Sequence, residues 1–562
     1  MTMRWTELVV FTLLFAAVTG LGFYARRWNA RAPDRPHEWG LGGRRFGWIS
    51  WFLVGGEIFT AYTFFALPSM MFGVGAIGFH ALPFTVFVYP LVFLPLLRLW
   101  KVSQEHGYMT PADFVQGRYR STTLTLLVAI AGIAATFPYI ALQLAGLEAV
   151  LRTMGLNGAG LTGHIPLFIA FLLLAAFTYR SGLRAPALIA IVKALLIYLV
   201  IVAAVIILPA QLGGWASIFA AADAKFAASP SYSDGILLGA HNQLEYVTQM
   251  VGAALALFLY PHVLTGVLAC KSDKVIRRNM VYLLAYTPLV GLFALLGYAA
   301  IAANTQPIVN AATGQPDSNT VIPMLFEGQF PSWFAGIGLA AIGIGTLVPA
   351  SVMSIAAANL YSSNIYSIIY KACRRRGPTE KQQDVQSKVA SLIVKFCAVI
   401  LLIFVNPQYS LDLQLIAGVV ILQTLPAVAI ALYTRWFHKW GLVAGCVVGL
   451  AWGLSMLYSI PNRSTGAEHL GGAALEMGKL SILGWHPFAG SAVQIYPGFI
   501  ALIANLVVAA VATVALRLMG VPDDDDETEA AHRVDGDISR QEPTTGLLPE
   551  FDVMVWRRRV GR

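Results

Sequence analysis

The side chains able to do chemistry in this sequence sit inside long apolar runs. In the stretch WFLVGGEIFTAYTFFALPSMMFGVGAIGF, residues 51–79, the carboxylate of Glu57 follows the adjacent glycines Gly55 and Gly56 and precedes Thr60, Tyr62, Thr63 and Pro68. A helix starting near Phe46 places Glu57 about 15 Å along its axis, close to the middle of a hydrocarbon core about 30 Å thick. An acid there costs roughly 2.5–3.5 kcal/mol on insertion scales, so it is expected to face protein or a water-filled path. Paired glycines weaken the helix at that point, and unwound backbone at membrane depth is tolerated only where it lines a cavity. A second stretch, YVTQMVGAALALFLYPHVLTGVLACKS, is interrupted by Tyr260, Pro261 and His262. A third, RAPALIAIVKALLIYLVIVAAV, carries Lys193 about 12 Å from its start.

These residues suit the recognition of a small anion. Half-helix N-termini and free backbone N–H groups at the two breaks attract a carboxylate. Thr60, Tyr62, Gln143, Tyr260 and His262 add neutral donors, and Lys193 is the nearest cation. Burial opposes charge on both Glu57 and Lys193, whereas pairing favours it, so a proton taken up and released at one of them is a possible coupling step. Each residue also has a plainer reading. Glu57 bonds unwound amides, Lys193 snorkels along its stem, His262 caps backbone, and Gln143 and Gln423 join helices. Lys395, nearer the end of its run, snorkels more readily and is assigned no function.

The elements that must position these groups follow from composition. The chain has 562 residues, is 57% hydrophobic and only 12% charged, with mean hydropathy +0.67, which is the composition of an all-α polytopic membrane protein. The net charge of +9 lies in short basic clusters between apolar runs, where positive-inside topology accounts for it without nucleic acid. Cys270, Cys373, Cys397 and Cys446 have no metal-ligand spacing and imply neither a disulfide nor a metal. No nucleophile elbow or phosphate loop supports an enzyme, and no other cofactor is implied.

Apolar runs of about 18 residues or more give about thirteen transmembrane helices, numbered here as spans 0 to 12. Span 0 covers residues 6–25, span 1 47–72, span 2 76–99, span 3 122–151 and span 4 163–180. Span 5 covers 185–210, span 6 245–270, span 7 279–303, span 8 331–370 and span 9 388–406. Spans 10, 11 and 12 cover 411–434, 440–460 and 494–518. Span 0 follows a signal-like charge but lacks a clean cleavage site, so it is expected to be retained. Basic residues alternate between the two sides of this arrangement, predicting an N-terminus outside and a C-terminus in the cytoplasm. The tail from Val521 opens with Asp523 to Asp526 and ends in Arg557, Arg558 and Arg559, predicting a solvated segment or a headgroup contact at its basic end.

Broken helices in corresponding positions of two halves point to an inverted-repeat secondary transporter. The expected organisation is a first span and linker (1–46), repeat 1 from spans 1–5 (47–210) and an extracytoplasmic loop (211–244). Repeat 2 from spans 6–10 (245–434), spans 11 and 12 (435–518) and a cytoplasmic tail (519–562) complete it.

The segments GGRRFGWISWFLVGGEIFTAYTFFALPSMMFGVG, HGYMTPADFVQGRYRS, FLYPHVLTGVLACKS and VPASVMSIAAANLYSSNIY together resemble the solute:sodium symporter family, from about Gly42 to Trp436. Within it the sequence is most similar to bacterial monocarboxylate permeases for lactate, pyruvate and related acids. The resemblance implies the leucine-transporter type of 5+5 fold, alternating access and ion-driven uptake across the bacterial inner membrane. It also implies a sodium site of backbone carbonyls at Gly55 and Ile58, with a carbonyl and two hydroxyls in span 8. The aligned span 8 positions are Gly345, Val348 and Pro349, so both hydroxyls are missing. A one-turn slip recruits Thr346 or Ser351 instead. The departure favours a proton over sodium as coupling ion, with Glu57 and Lys193 as the coupling pair.

Three functional classes follow: a proton-coupled or sodium-independent monocarboxylate transporter, a sodium symporter of a monocarboxylate or an amino acid, and a transporter-like sensor. About 40 residues after span 12 are too few for a signalling domain. The expected partners are a small carboxylate and the lipid bilayer, with no obligate protein partner. Nothing in the sequence ranks lactate, pyruvate, acetate, propionate or alanine, which differ by one methyl or hydroxyl worth about 1–3 kcal/mol.

Overall fold

The structure is a computed structural model that describes residues 3–28, 36–58, 60–156, 164–228, 235–309, 314, 316–404, 409–462, 468–482, 484–523 and 526–528. The side chains of Glu57, Ile58, Val92, Phe93 and Phe404 lie outside the described set.

Nearly every element is a helix, as a chain must be when its backbone groups have no water to bond. Among the described residues the exception is a two-stranded antiparallel pair, Leu475–Glu476 with Gln494–Ile495, between spans 11 and 12. Large apolar side chains are exposed at helical spacing, for example Leu195, Leu199, Val202 and Ile206 on span 5, which is the stripe a helix presents to lipid.

Among the described residues nine helices are long and apolar enough to cross a membrane, or eleven if the two bent pairs each count as one span. The expected thirteen differ at spans 1 and 4. Span 4 is a helix of only 17 residues, Ile165–Ser181. Span 1 is divided into Ser50–Ile58 and a second piece from Tyr62 to Val74 whose first turn is π-helical. Its two glycines lie in the last turn of the first piece, so the break falls a few residues beyond them.

Span 6 is also divided. Gln243–Leu257 and Pro261–Leu268 are bent by 42°. Tyr260 is extended, with φ −58° and ψ 132°, and Pro261 takes the first helical position, where a missing N–H costs nothing. The proline therefore starts the second half-helix rather than interrupting a continuous one. Backbone bonds Phe46 N–H to Ala269 O (3.2 Å) and Lys271 N–H to Phe46 O (3.1 Å) tie the entry of span 1 to the end of span 6.

Span 8 is the centre of the bundle, with every residue of its most apolar window buried. Small residues let its neighbours approach. Gly343 faces Phe11 of span 0 and Gly345 faces Phe64 of span 1. Spans 11 and 12 meet along Gly441, Gly445, Gly449 and Gly453, spaced one per turn.

On the face carrying Arg44, Arg118 and Arg435, a short helix Pro111–Tyr119 precedes span 3. It begins with a capping box in which Asp113 N–H donates to Thr110 Oγ1 (3.1 Å) and Thr110 N–H to Asp113 Oδ2 (3.0 Å). Asn364 of span 8 locks this helix by donating to Asp113 Oδ1 (2.6 Å) and accepting from Thr110 Oγ1 (2.7 Å).

Span 7 packs on the second half of span 1 through Gly297, where an added Cβ would lie 2.3 Å from Pro68 O and 2.9 Å from Phe72 N. Because both are backbone atoms, Gly297→Ala is expected to cost about 1–3 kcal/mol of overpacking and to lower the melting temperature in detergent. A melting temperature equal to that of the unaltered chain would refute this packing.

Candidate functional site

Spans 1, 5 and 8 converge on Gly56. The Lys193 ammonium is only 2% exposed and donates to Gly56 O over 2.8 Å. It also lies 5.8 Å from the centre of the Phe64 ring, within range of a cation–π attraction. A Cβ on Gly56 would stand 3.6 Å from Val348 Cγ1, 3.7 Å from Ala190 Cβ and 3.8 Å from Lys193 Nζ. A small cavity of about 20 Å³ beside Lys193, lined by Gly55, Gly56, Thr63 and Tyr286, has room for about one water.

Around this point span 8 offers methyl groups rather than oxygens. Val348 is buried against Gly56, and Pro349 has no side-chain donor or acceptor. The nearby hydroxyls are engaged with their own helix: Thr346 Oγ1 donates to Gly343 O (2.7 Å) and Ser351 Oγ to Leu347 O (2.9 Å), while Ser351 also accepts from Thr178 (3.4 Å). Lys395 does not snorkel. It is buried and donates to Ser391 Oγ over 2.8 Å.

The backbone freed by the breaks is met by side chains. Thr60 Oγ1 accepts from Tyr62 N–H (3.2 Å), and Gln143 Oε1 of span 3 accepts from Ala61 N–H (3.0 Å). Gln143 Nε2 donates back to Tyr139 O (3.4 Å). Gln143 is thus an interhelical partner that satisfies the break of span 1. Its own helix leads one turn on to Tyr139, whose ring lies 5.0 Å from Tyr260 and 5.2 Å from His262. Span 3 therefore connects the break of span 1 with that of span 6.

Tyr260 donates its hydroxyl to Gln414 O of span 10 (2.9 Å), fixing the extended residue between the half-helices. His262, at the second position of the following half-helix, is completely buried, and neither ring nitrogen has a hydrogen-bond partner. Leaving a buried polar atom unpaired costs about 1–3 kcal/mol, a cost this imidazole carries at both nitrogens. The Tyr62 hydroxyl is instead occupied, 3.2 Å from His80 Nε2. His80 Nδ1 faces Ile77 O at 2.9 Å and must donate to it, so a neutral ring accepts the Tyr62 proton at Nε2.

Of the residues expected from sequence, Gly56 and Lys193 come into contact, with Gly55 beside them, and Thr60, Tyr62 and Gln143 organise the break of span 1. Tyr260, Pro261 and His262 form a neighbouring group that meets the first through Tyr139. Tyr139, His80 and Gln414 were not anticipated. Tyr139 is four residues before Gln143 on one helix face, a spacing that signals it in retrospect. His80 and Gln414 carry no such local signal. Near the opposite end of the bundle from Arg118, a cavity of about 130 Å³ opens among Met70, Glu245, Tyr409, Asp412 and Glu476. Among the described residues no three His, Cys, Asp or Glu side chains are grouped to hold a metal ion.

The model of the sodium:solute symporter family matches residues 39–449. A monocarboxylate transport permease protein of Rhizobium johnstonii is 46% identical over 515 residues, covering 91% of this chain and 97% of that protein. An uncharacterized symporter of Bacillus subtilis, YodF, is 30% identical over 455 residues, covering 79% of this chain and 86% of its own. Among solved structures, a Na+-coupled sialic acid symporter in a substrate-bound outward-open state superposes with a TM-score of 0.70 at 14% identity, covering 93% of this chain and 99% of that one. That structural likeness gives the fold, an all-helical polytopic arrangement of the leucine-transporter type. The divided first and sixth spans around one buried point, the family match along most of the chain and the 46% identical permease agree: the chain is a transporter, not an enzyme, and belongs to the sodium:solute symporter family.

Proposed function

We propose that this protein imports short-chain monocarboxylates such as lactate or pyruvate by alternating access, coupled to protons or at least independent of sodium. The observation that carries the coupling part is the Lys193 ammonium on Gly56 O, with Val348 and Pro349 in place of the hydroxyls of a sodium site. A fixed cation on that carbonyl does the electrostatic work a bound sodium ion would do. Loss of its proton weakens the attraction to the carbonyl and frees the first half of span 1 to move. Substrate identity is supported by the Rhizobium permease, described as a monocarboxylate transporter and similar along almost its whole length.

The carboxylate is received where the half-helix Pro261–Leu268 begins, by backbone dipoles and by His262, whose nitrogens lack partners. Glu57 is the second member of the coupling pair. Spans 1–5 and 6–10 act as inverted repeats, the basic face lies in the cytoplasm, the N-terminus is outside, and the membrane is the bacterial inner membrane. Sodium symport through Thr346 and Ser351 is the competing reading, supported by the family's name.

Uptake of labelled lactate and pyruvate into proteoliposomes distinguishes the two. With one proton per substrate, an inward gradient of one pH unit supports about tenfold accumulation, and an inward sodium gradient at matched potential adds nothing. Sodium-driven accumulation would reject the proposal. Lys193→Ala is expected to abolish proton-driven accumulation, and full retention would remove Lys193 from the mechanism. His262→Phe preserves ring packing on Tyr139 and Tyr260 but removes both nitrogens, so KM should rise about tenfold or more at unchanged melting temperature. An unaltered KM would exclude His262 from the substrate site.

A further inference from the structure

Beyond span 12 the described residues 521–523 and 526–528 do not behave as a solvated acidic run. After Leu518 the chain folds back across the basic face, where Arg517 meets Asp523 (3.7 Å) and Pro522 O lies 3.4 Å from His438 Nε2. Asp526 is then inserted between two arginines from distant parts of the sequence. Its Oδ2 lies 2.5 Å from Arg118 and 3.3 Å from Arg435, and Asp526 and Arg118 are 0% and 3% exposed. Oδ1 accepts from the backbone and hydroxyl of Thr528, at 2.8 and 2.6 Å, and Thr528 is itself fully buried. Glu527 continues the attachment with its N–H on Gly117 O (3.0 Å), its carboxylate 2.9 Å from Arg120 and its carbonyl 3.0 Å from His106 Nε2.

The two arginines belong to different elements of the basic face. Arg118 is on the helix Pro111–Tyr119, which Asn364 locks to the inner end of span 8. Arg435 follows the last turn of span 10, Ile430–Leu432. One buried carboxylate thus joins the span 8 side of the basic face to the end of span 10. A solvent-exposed pair would contribute little, but a desolvated carboxylate shared by two guanidiniums is costly to pull apart.

We propose that residues 526–528 are an autoinhibitory latch, in which Asp526 holds the end of span 10 against the helix 111–119 and slows opening of the transporter at this face. The proposal rests on the transport reading and adds a regulatory element to it. Arg435 is 44% exposed, so Arg435→Gln removes the span 10 side of the latch without leaving a buried charge unpaired. In proteoliposomes its initial lactate uptake rate should rise about fivefold with KM unchanged, and Asp526→Asn should do the same if it remains folded. A rate for Arg435→Gln equal to or below that of the unaltered protein overturns the latch while leaving the transport function intact. A second readout needs no transport. In a Cys373→Ser background, Thr528→Cys should resist a water-soluble maleimide and become reactive when Arg435→Gln is added. Equal labelling in both chains would also overturn the proposal.

Discussion

Everything in this fold follows from one constraint: a helix broken inside a bilayer must have its freed backbone groups satisfied without bulk water. At the break of span 1 the buried bond from Lys193 Nζ to Gly56 O joins spans 1 and 5 beside span 8. A carbonyl dipole, an aromatic face and a cavity with room for one water replace part of the hydration of the ammonium held there. At position 56 a Cβ would make ordinary contacts with Val348, Ala190 and Lys193, so the space holds a methyl group but little more.

The second break uses neutral groups. Tyr260 is pinned to span 10, Gln143 accepts from Ala61, and the Tyr139 ring lies between them, so the two interruptions are mechanically linked through span 3. Among the described residues at this break, both His262 nitrogens and Gln414 Oε1 are left without hydrogen-bond partners. In a structure where Thr60, Gln143 and Tyr62 all have partners, two bare imidazole nitrogens at the start of a half-helix mark where a guest's polar atoms would repay the cost of burial.

Much of this was legible in the sequence because it depends on residue type at a fixed depth. Two glycines before an acid, a proline in a later span and a lysine inside an apolar run locate the breaks and the buried cation from spacing alone. The missing hydroxyls at Val348 and Pro349 were visible only through the resemblance to the family, whose sodium-site positions these residues align with. What was not legible depends on which way side chains turn in three dimensions. Gln143 reads equally well as a substrate ligand or a helix partner until its oxygen is seen on Ala61, and His80 has meaning only beside Tyr62. The count of thirteen spans from apolar runs exceeds the nine to eleven helices long enough to cross among the described residues, because the half-helices of span 1 and the 17-residue helix of span 4 are shorter than the apolar runs that contain them. Four consecutive aspartates suggested a solvated tail, yet Asp526 pairs with Arg118 across 408 positions, a contact no local pattern announces.

The central claim is that an ammonium, not a sodium ion, occupies the junction of spans 1, 5 and 8. Equilibrium binding of radiolabelled sodium to the purified protein, with and without lactate, tests it without any assumption about transport rates. No saturable sodium binding in either condition is the expected result. Saturable, lactate-enhanced binding would contradict it and would return Thr346 and Ser351 to the role of cation ligands.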